Sequence, residues 1–279
     1  MKALALLLAL PLAVLAADKP AAQPPIDAGP YVPSPQSVVA DMLKLADIGP
    51  KDFVIDLGSG DGRIVLTAAK VFGASGFGVE IKDELVKLSN EAAKKEGVAD
   101  RVKFIKADLF KTDISQATVL TMYLLPNTVN MLKDKLLTEL KPGAKVLSHD
   151  YPLTGWIPEK YVQMDLEDKV QISGVTTTLI YLYMVPAKVQ GRWSAKVPGS
   201  VGKGPLTLNL KQQVTRVSGS GRLEGKEVVL EDLKLHGEQI SFGLAGRRVT
   251  FTGRVKDGAI EGEVDSGGAR APWSAKLGK

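Results

Sequence analysis

The stretch Phe53-Val54-Ile55-Asp56-Leu57-Gly58-Ser59-Gly60-Asp61-Gly62-Arg63 runs from a short apolar segment, through three alternating glycines, into a helical pattern that begins at Arg63. A strand ending in such a turn lets the backbone approach a ligand, because glycine has no Cβ, and the following helix offers N–H groups at its N-terminus. A ligand with a carboxylate and a ribose fits this turn. The spacing Gly58-x-Gly60-x-Gly62 differs from the G-x-G-x-x-G of a dinucleotide fingerprint, and no Lys-Ser/Thr pair follows to cradle a phosphate. Glu80 ends the next apolar run, where a carboxylate can accept both hydroxyls of an adenosine ribose. Asp108 ends the third run, within reach of an adenine amino group. The specific signal is three acids, Asp56, Glu80 and Asp108, at three successive strand ends.

Outward from this loop, short apolar runs alternate with helical periods. Strands are predicted over 53–57, 76–81, 102–106, 118–122 and 144–148, and helices over 63–72, 84–96 and 126–140. Repeated βα units predict a mostly parallel sheet with helices on both faces. Ahead of them, Ser34-Pro35 reads as an N-cap with a first-turn proline, opening an amphipathic helix on Val38, Val39, Met42 and Leu45. After Tyr151, segments 161–170 and 175–185 are strand-like, with a turn at 171–174, and predict an antiparallel pair closing one sheet edge. From Gly191 onward, short alternating segments divided by glycines predict a small antiparallel barrel or sandwich. Trp193 and Trp273 sit in matching settings, Arg192-Trp193-Ser194-Ala195-Lys196 and Pro272-Trp273-Ser274-Ala275-Lys276. They mark first and last strands that would pair to close a barrel, with an aromatic ligand site as the alternative.

Asp56-Leu57-Gly58-Ser59-Gly60-Asp61-Gly62-Arg63, Gly78-Val79-Glu80 and Ala107-Asp108-Leu109 resemble, in order and spacing, the cofactor motifs of class I S-adenosylmethionine-dependent methyltransferases. With Tyr31-Val32-Pro33-Ser34 ahead of the first helix, the chain looks most like the branch holding the lysine methyltransferases of the ATP synthase c subunit and the adenine nucleotide translocase, and related bacterial proteins. The resemblance covers about residues 31–185 and does not reach the C-terminal segments. It implies a Rossmann-like seven-stranded sheet and S-adenosyl-L-methionine as cofactor. Asp56, Gly58, Ser59, Gly60, Asp61 and Gly62 would then surround its methionine part, Glu80 its ribose, and Asp108 and Leu109 its adenine, with Tyr31 over the pocket. The acceptor would enter between Tyr123-Leu124-Leu125-Pro126-Asn127 and His149-Asp150-Tyr151-Pro152, at the ends of the fourth and fifth strands. His149 is the candidate base there, as the one group that titrates near neutral pH, and Tyr123 the candidate channel wall. The fourth-strand loop lacks the Asn/Asp-Pro-Pro-Tyr pattern of many amino methyltransferases, which weighs against a nucleic-acid or glutamine acceptor. By the resemblance a protein lysine is the acceptor to test.

Met1-Lys2, the apolar run Ala3 to Ala17 and the small residues before Asp18 read as a signal peptide, with an uncleaved membrane anchor as the alternative. The expected organisation is a signal over 1–17, an extended Pro/Ala-rich lead-in over 18–33, a methyltransferase-like domain over 34–186 and a β-rich domain over 187–279. Export to the periplasm or beyond follows. The sequence has no cysteine, which excludes lipid attachment through Cys, disulfides, thiolate metal sites and a Cys nucleophile. With only His149 and His236, no multi-His metal site can form, and none is expected. The net charge of +5 is segregated: residues 187–279 carry 16 Lys+Arg against 9 Asp+Glu, and the rest 20 against 22. The basic segment suits an anionic envelope contact or a solvated surface. Three functions follow: an exported methyltransferase acting on an envelope component, a non-catalytic module binding S-adenosylmethionine or a nucleoside, and an envelope adaptor working through the basic domain.

Overall fold

The pleat of β1 (Phe53–Leu57) buries Val54 against one face of a sheet and Ile55 and Leu57 against the other. In this computed structural model, which describes residues 29–167, 169–170 and 174–278, that strand lies at the centre of a seven-stranded sheet. The elements follow as α1 (Gln36–Leu45), β1, α2 (Arg63–Phe72), β2 (Ser75–Glu80), α3 (Asp83–Lys95), β3 (Val102–Lys106), β4 (Val119–Met122), α4 (Pro126–Glu139), β5 (Lys145–His149), β6 (Lys160–Asp165) and β7 (Thr177–Met184). The strand order is β3-β2-β1-β4-β5-β7-β6, with β7 antiparallel to both its neighbours. Order reverses between β1 and β4, and such a switch point opens a crevice at the strands' C-terminal ends. Val129, Leu132 and Leu136 of α4 pack on the Ile55 face, and Val38, Val39, Met42 and Leu43 of α1 on the Val54 face. Each such fully buried side chain contributes about 1.5–3 kcal/mol.

Two local expectations are corrected. Ser34 does not cap α1: Pro35 occupies the cap position without a side-chain bond, and the Ser34 hydroxyl lies 2.8 Å from His149 Nδ1 instead. The strand expected over 161–170 ends at Asp165, where the chain turns to bring Lys169 Nζ within 2.7 Å of the Asp150 carboxylate. Most of the expected turn at 171–174, and the whole of the segment read as a signal, lie outside the described residues. No described helix is long and apolar enough to cross a membrane.

Beyond β7 the chain forms β8 (Gly191–Lys196), β9 (Leu206–Gln213), β10 (Arg216–Leu223), β11 (Lys226–His236), β12 (Gln239–Leu244), β13 (Val249–Lys256), β14 (Ala259–Ser266) and β15 (Ala269–Leu277). Each pairs antiparallel with the next, and β15 returns to β8 with Ala275 opposite Ala195, closing a barrel rather than a sandwich. Trp193 and Trp273 are buried inside, their indole N–H groups donating to the Val189 and Thr252 carbonyls at 2.8 Å each. Trp273 stands edge-on to Phe242 and Phe251, which stack at 4.7 Å, so the tryptophans are closure residues and not a ligand site. The strand expected over 214–218 runs instead from Arg216 to Leu223. Val214 turns the chain at φ 55°, and the loop-like Ser218-Gly219-Ser220-Gly221 continues the strand. At Gly221 a Cβ would press on Val228, so glycine permits the close approach of strands there.

The barrel docks at the sheet end opposite the crevice. Val214 packs on the sheet core, Ala187 N donates to Gly237 O at 2.8 Å, and His236 Nε2 lies 3.0 Å from Glu159 just ahead of β6. No barrel residue lines the crevice. Trp193→Ala should therefore destabilise the chain by about 3–5 kcal/mol in urea unfolding. The affinity for a ligand in the crevice, measured by calorimetry on the folded variant, should change by less than about twofold.

Candidate active site

A cleft opens where β1 and β4 end. Its floor is the glycine loop, pinned to β2 because Gly58 N and Ser59 N both donate to Val79 O at 2.9 Å. Glu80 completes the clamp: Oε2 accepts Gly60 N at 3.0 Å, while Oε1 accepts Ile81 N and Lys82 N at 2.8 and 2.9 Å. Gly58 and Gly60 have φ of 75° and 55°, in the left-handed region that glycine adopts without strain. A Cβ on Gly58 would stand 2.7 Å from Leu124, and one on Gly60 would collide with the Tyr31 ring. Gly62 behaves differently. It caps α2 at φ 83°, lies outside the cleft lining, and is small because Phe104 and Ser89 fill the space a side chain would need.

Asp56 is 2% exposed and its Oδ1 accepts the Thr121 hydroxyl at 2.7 Å. Burial pushes its pKa up to about 7, against the pull of the Thr121 hydrogen bond, and the nearby charges of Glu80 and Asp61 add to the rise. Asp108 lines the far end with Ala107 and Leu109, its Oδ1 accepting Phe110 N at 2.9 Å and its Oδ2 3.4 Å from Lys111 Nζ. Among the described residues Ser59 Oγ is buried without a hydrogen-bond partner. An orphaned hydroxyl, a glycine cradle and buried carboxylates suit a ligand that combines a cationic amino-acid end with a ribose. S-Adenosylmethionine, with its ammonium and sulfonium groups, fits that donor set.

Residues 29–33 of the expected extended lead-in, where Tyr31 was placed over the pocket, form one wall of this cleft together with Ser34. Arg63 grips Asp61 through Nε and Nη2 at 3.0 and 2.6 Å and reaches Ser34 O through Nη1 at 2.7 Å. Burial alone would raise the Asp61 pKa, but the Arg63 hydrogen bonds and charge outweigh it and hold the carboxyl below its usual range. Burial, followed by the negative charge of nearby Asp61, raises the Tyr31 pKa.

Tyr123, Leu124, Leu125 and Tyr151 form the opposite wall. The Tyr123 pKa is raised by burial, then by the charge of Asp150. Asp150 adopts φ 63° and also accepts Lys169 Nζ at 2.7 Å and Leu179 N at 3.1 Å. His149 is not placed to act as the base. It is fully buried behind Tyr123, with ring centroids 3.9 Å apart, and is not part of the cleft lining. Burial lowers its pKa to about 4, against the charge of Asp150 and with that of Lys169, so the ring is neutral at pH 7. Its Nδ1 contact with Ser34 and its stacking on Tyr123 make it a positioning residue that joins the two walls. Sequence reading missed the roles of Ser34, Arg63 and Lys169. Ser34 and Arg63 were visible only as helix-start residues, and Ser34 and His149 are 115 positions apart.

A buried carboxylate near its midpoint makes binding pH-dependent. Ionised Asp56 attracts a cationic ligand and protonated Asp56 does not, so S-adenosylmethionine affinity should rise between about pH 6 and pH 8. Asp56→Asn should flatten that rise in calorimetric titrations; an unchanged profile would remove Asp56 from the pocket.

The profile of the ANTKMT methyltransferase domain family matches residues 56–160. A protein-lysine N-methyltransferase of Saccharolobus islandicus is 43% identical over 157 residues, which are 56% of this chain and 93% of that protein. A lysine N-methyltransferase of Xenopus laevis that acts on the ATP synthase c subunit is 36% identical over 130 residues, 47% of this chain, and the chain spans only 57% of that relative's length. Among solved structures, an RNA methyltransferase from Salinibacter ruber in complex with S-adenosyl-L-homocysteine shares 45% identity and a TM-score of 0.51, over 57% of this chain and 96% of that one. With nearly the whole length of an archaeal relative matched, and the acids and glycines of the motif gathered around one cleft, the chain belongs to the S-adenosylmethionine-dependent methyltransferases of the ANTKMT type.

Proposed function

We propose that the protein methylates the ε-amino group of a protein lysine, and that it does so after export, on a component of the cell envelope. One observation carries the acceptor reading: beside the glycine loop the cleft walls are Tyr31, Tyr123 and Tyr151 with Leu124 and Leu125. An apolar, aromatic channel suits a long aliphatic chain ending in an amine. The lysine specificity named for the Saccharolobus and Xenopus relatives supports it. Export is supported by the charged start and short apolar run of residues 1–17.

When bound, the cofactor supplies a methyl group on a positively charged sulfur. The residues of the chain do the rest. Asp56 holds the cationic end, Glu80 keeps the glycine loop in place while presenting its oxygens to the ribose, and the strap from Gly29 to Ser34 covers the cleft. The aromatic walls strip water from an entering ammonium, which lowers its pKa and favours the neutral amine that can attack. Tyr123 lines the cleft, where its hydroxyl oxygen can accept an N–H of the amine and aim the lone pair. The amine's proton leaves to solvent through the cleft mouth.

Purified protein incubated with methyl-labelled cofactor should label lysine-containing peptides but not their arginine counterparts; label entering RNA instead would overturn the acceptor reading. Tyr123→Phe should lower kcat by about tenfold or more with unchanged cofactor affinity, and an unchanged kcat would remove Tyr123 from amine positioning. Cell fractionation checks compartment: the chain should move from the envelope fraction to the cytoplasm when residues 1–17 are deleted.

A further inference from the structure

Half of the barrel's outer surface is a cationic wall. Strands β15, β8, β9 and β10 are hydrogen-bonded neighbours in that order, and none of their residues is Asp or Glu. Inward positions alternate with outward ones, and the exposed outward side chains include Arg192, Lys196, Lys211, Arg216, Arg222 and Lys276. The residues facing them across the strands are short and polar: Lys196 pairs with Ser274, Lys276 with Ser194, Arg192 with Asn209, and Lys211 with Ser218. Carboxylates stand on the flanking strands, Glu261, Glu263 and Asp265 on β14 and Glu227 and Glu231 on β11. Arg270 of β15 is exposed as well, and of these seven cations Arg222 and Arg270 meet carboxylates across the two margins, Glu227 and Asp265, at 3.9 Å each.

We infer that this wall docks the protein on an anionic phospholipid surface. Its cations spread in two dimensions over four adjacent strands, which matches a two-dimensional array of single negative charges. Short neighbours let the long Lys and Arg side chains reach past the barrel's curvature to the headgroups. The outward positions of the wall carry no aromatic side chain, so single-stranded nucleic acid would find nothing on which to stack its bases. The attraction is additive over basic residues near the surface and is screened by salt. The wall shares no residue with the methyl-transfer cleft, so the inference stands apart from the acceptor assignment.

The chain from residue 18 onward, which keeps every described residue, should be sedimented with vesicles of phosphatidylcholine alone or with a third phosphatidylglycerol. Binding is expected to the anionic vesicles only, and high salt should release it. The triple variant Arg192→Glu, Lys196→Glu, Lys211→Glu should bind about tenfold more weakly or worse, with its fold checked by an unchanged circular dichroism spectrum and a retained cooperative urea transition. Lys51→Glu with Lys95→Glu, on the helical domain, should bind like the parent. Equal binding to both vesicle types, a triple variant that binds normally, or capture by heparin or duplex DNA with vesicles ignored would each overturn the inference. If the triple variant fails to fold, the lipid and salt dependence of the unaltered chain decides by itself.

Discussion

A carboxylate buried among other carboxylates is the constraint on which the rest of this structure depends. Asp56 is the penultimate residue of β1 at 2% exposure, its hydrogen bond comes from a neutral hydroxyl, and its charged neighbours are Glu80 and Asp61. Burial and like charges both disfavour its ionised form. Such an arrangement persists where a cation completes it, and the family's cofactor brings one. The sheet around it is built to hold the strand ends still. Val54 and Ile55 anchor β1 in cores on both faces, and Thr121 on the neighbouring β4 fixes the carboxylate's orientation.

Two carboxylates that line this cleft hold the fold together around it. Glu80 binds three backbone N–H groups, tying the glycine loop to the start of α3, so its loss would move the loop itself. Asp61 is neutralised by Arg63, and the same guanidinium reaches Ser34 in the strap. The strap in turn touches His149, which stacks on Tyr123. The two walls of the cleft are thereby joined through a neutral imidazole.

The barrel is a separate piece of architecture. Its interior is filled by its own aromatic and aliphatic side chains, its edges are removed by closure, and it meets the sheet at the end away from the cleft. Charge placed on its outer strands costs the methyl-transfer site nothing, because no barrel residue reaches the cleft lining. The basic excess of the sequence can therefore gather on one face.

The βα alternation, the glycine loop and the acids at three strand ends were legible in the sequence, because strand burial has a period of two, helix burial a period near 3.6, and the chemistry of the loop is local. The tryptophan settings likewise announced barrel closure. Contacts between distant segments were not legible. Ser34 looks like a helix cap until His149 is brought beside it. His149 looks like a base until it is buried behind Tyr123. Lys169 looks like a surface lysine until Asp150 faces it, and of residues 29–33 only Tyr31 was expected at the pocket, whereas the whole segment lines the cleft. The physical reason is the same in each case. A local pattern records which face of an element is apolar, whereas the protonation state and partner of a polar side chain depend on burial, which is settled only when remote parts of the chain pack together.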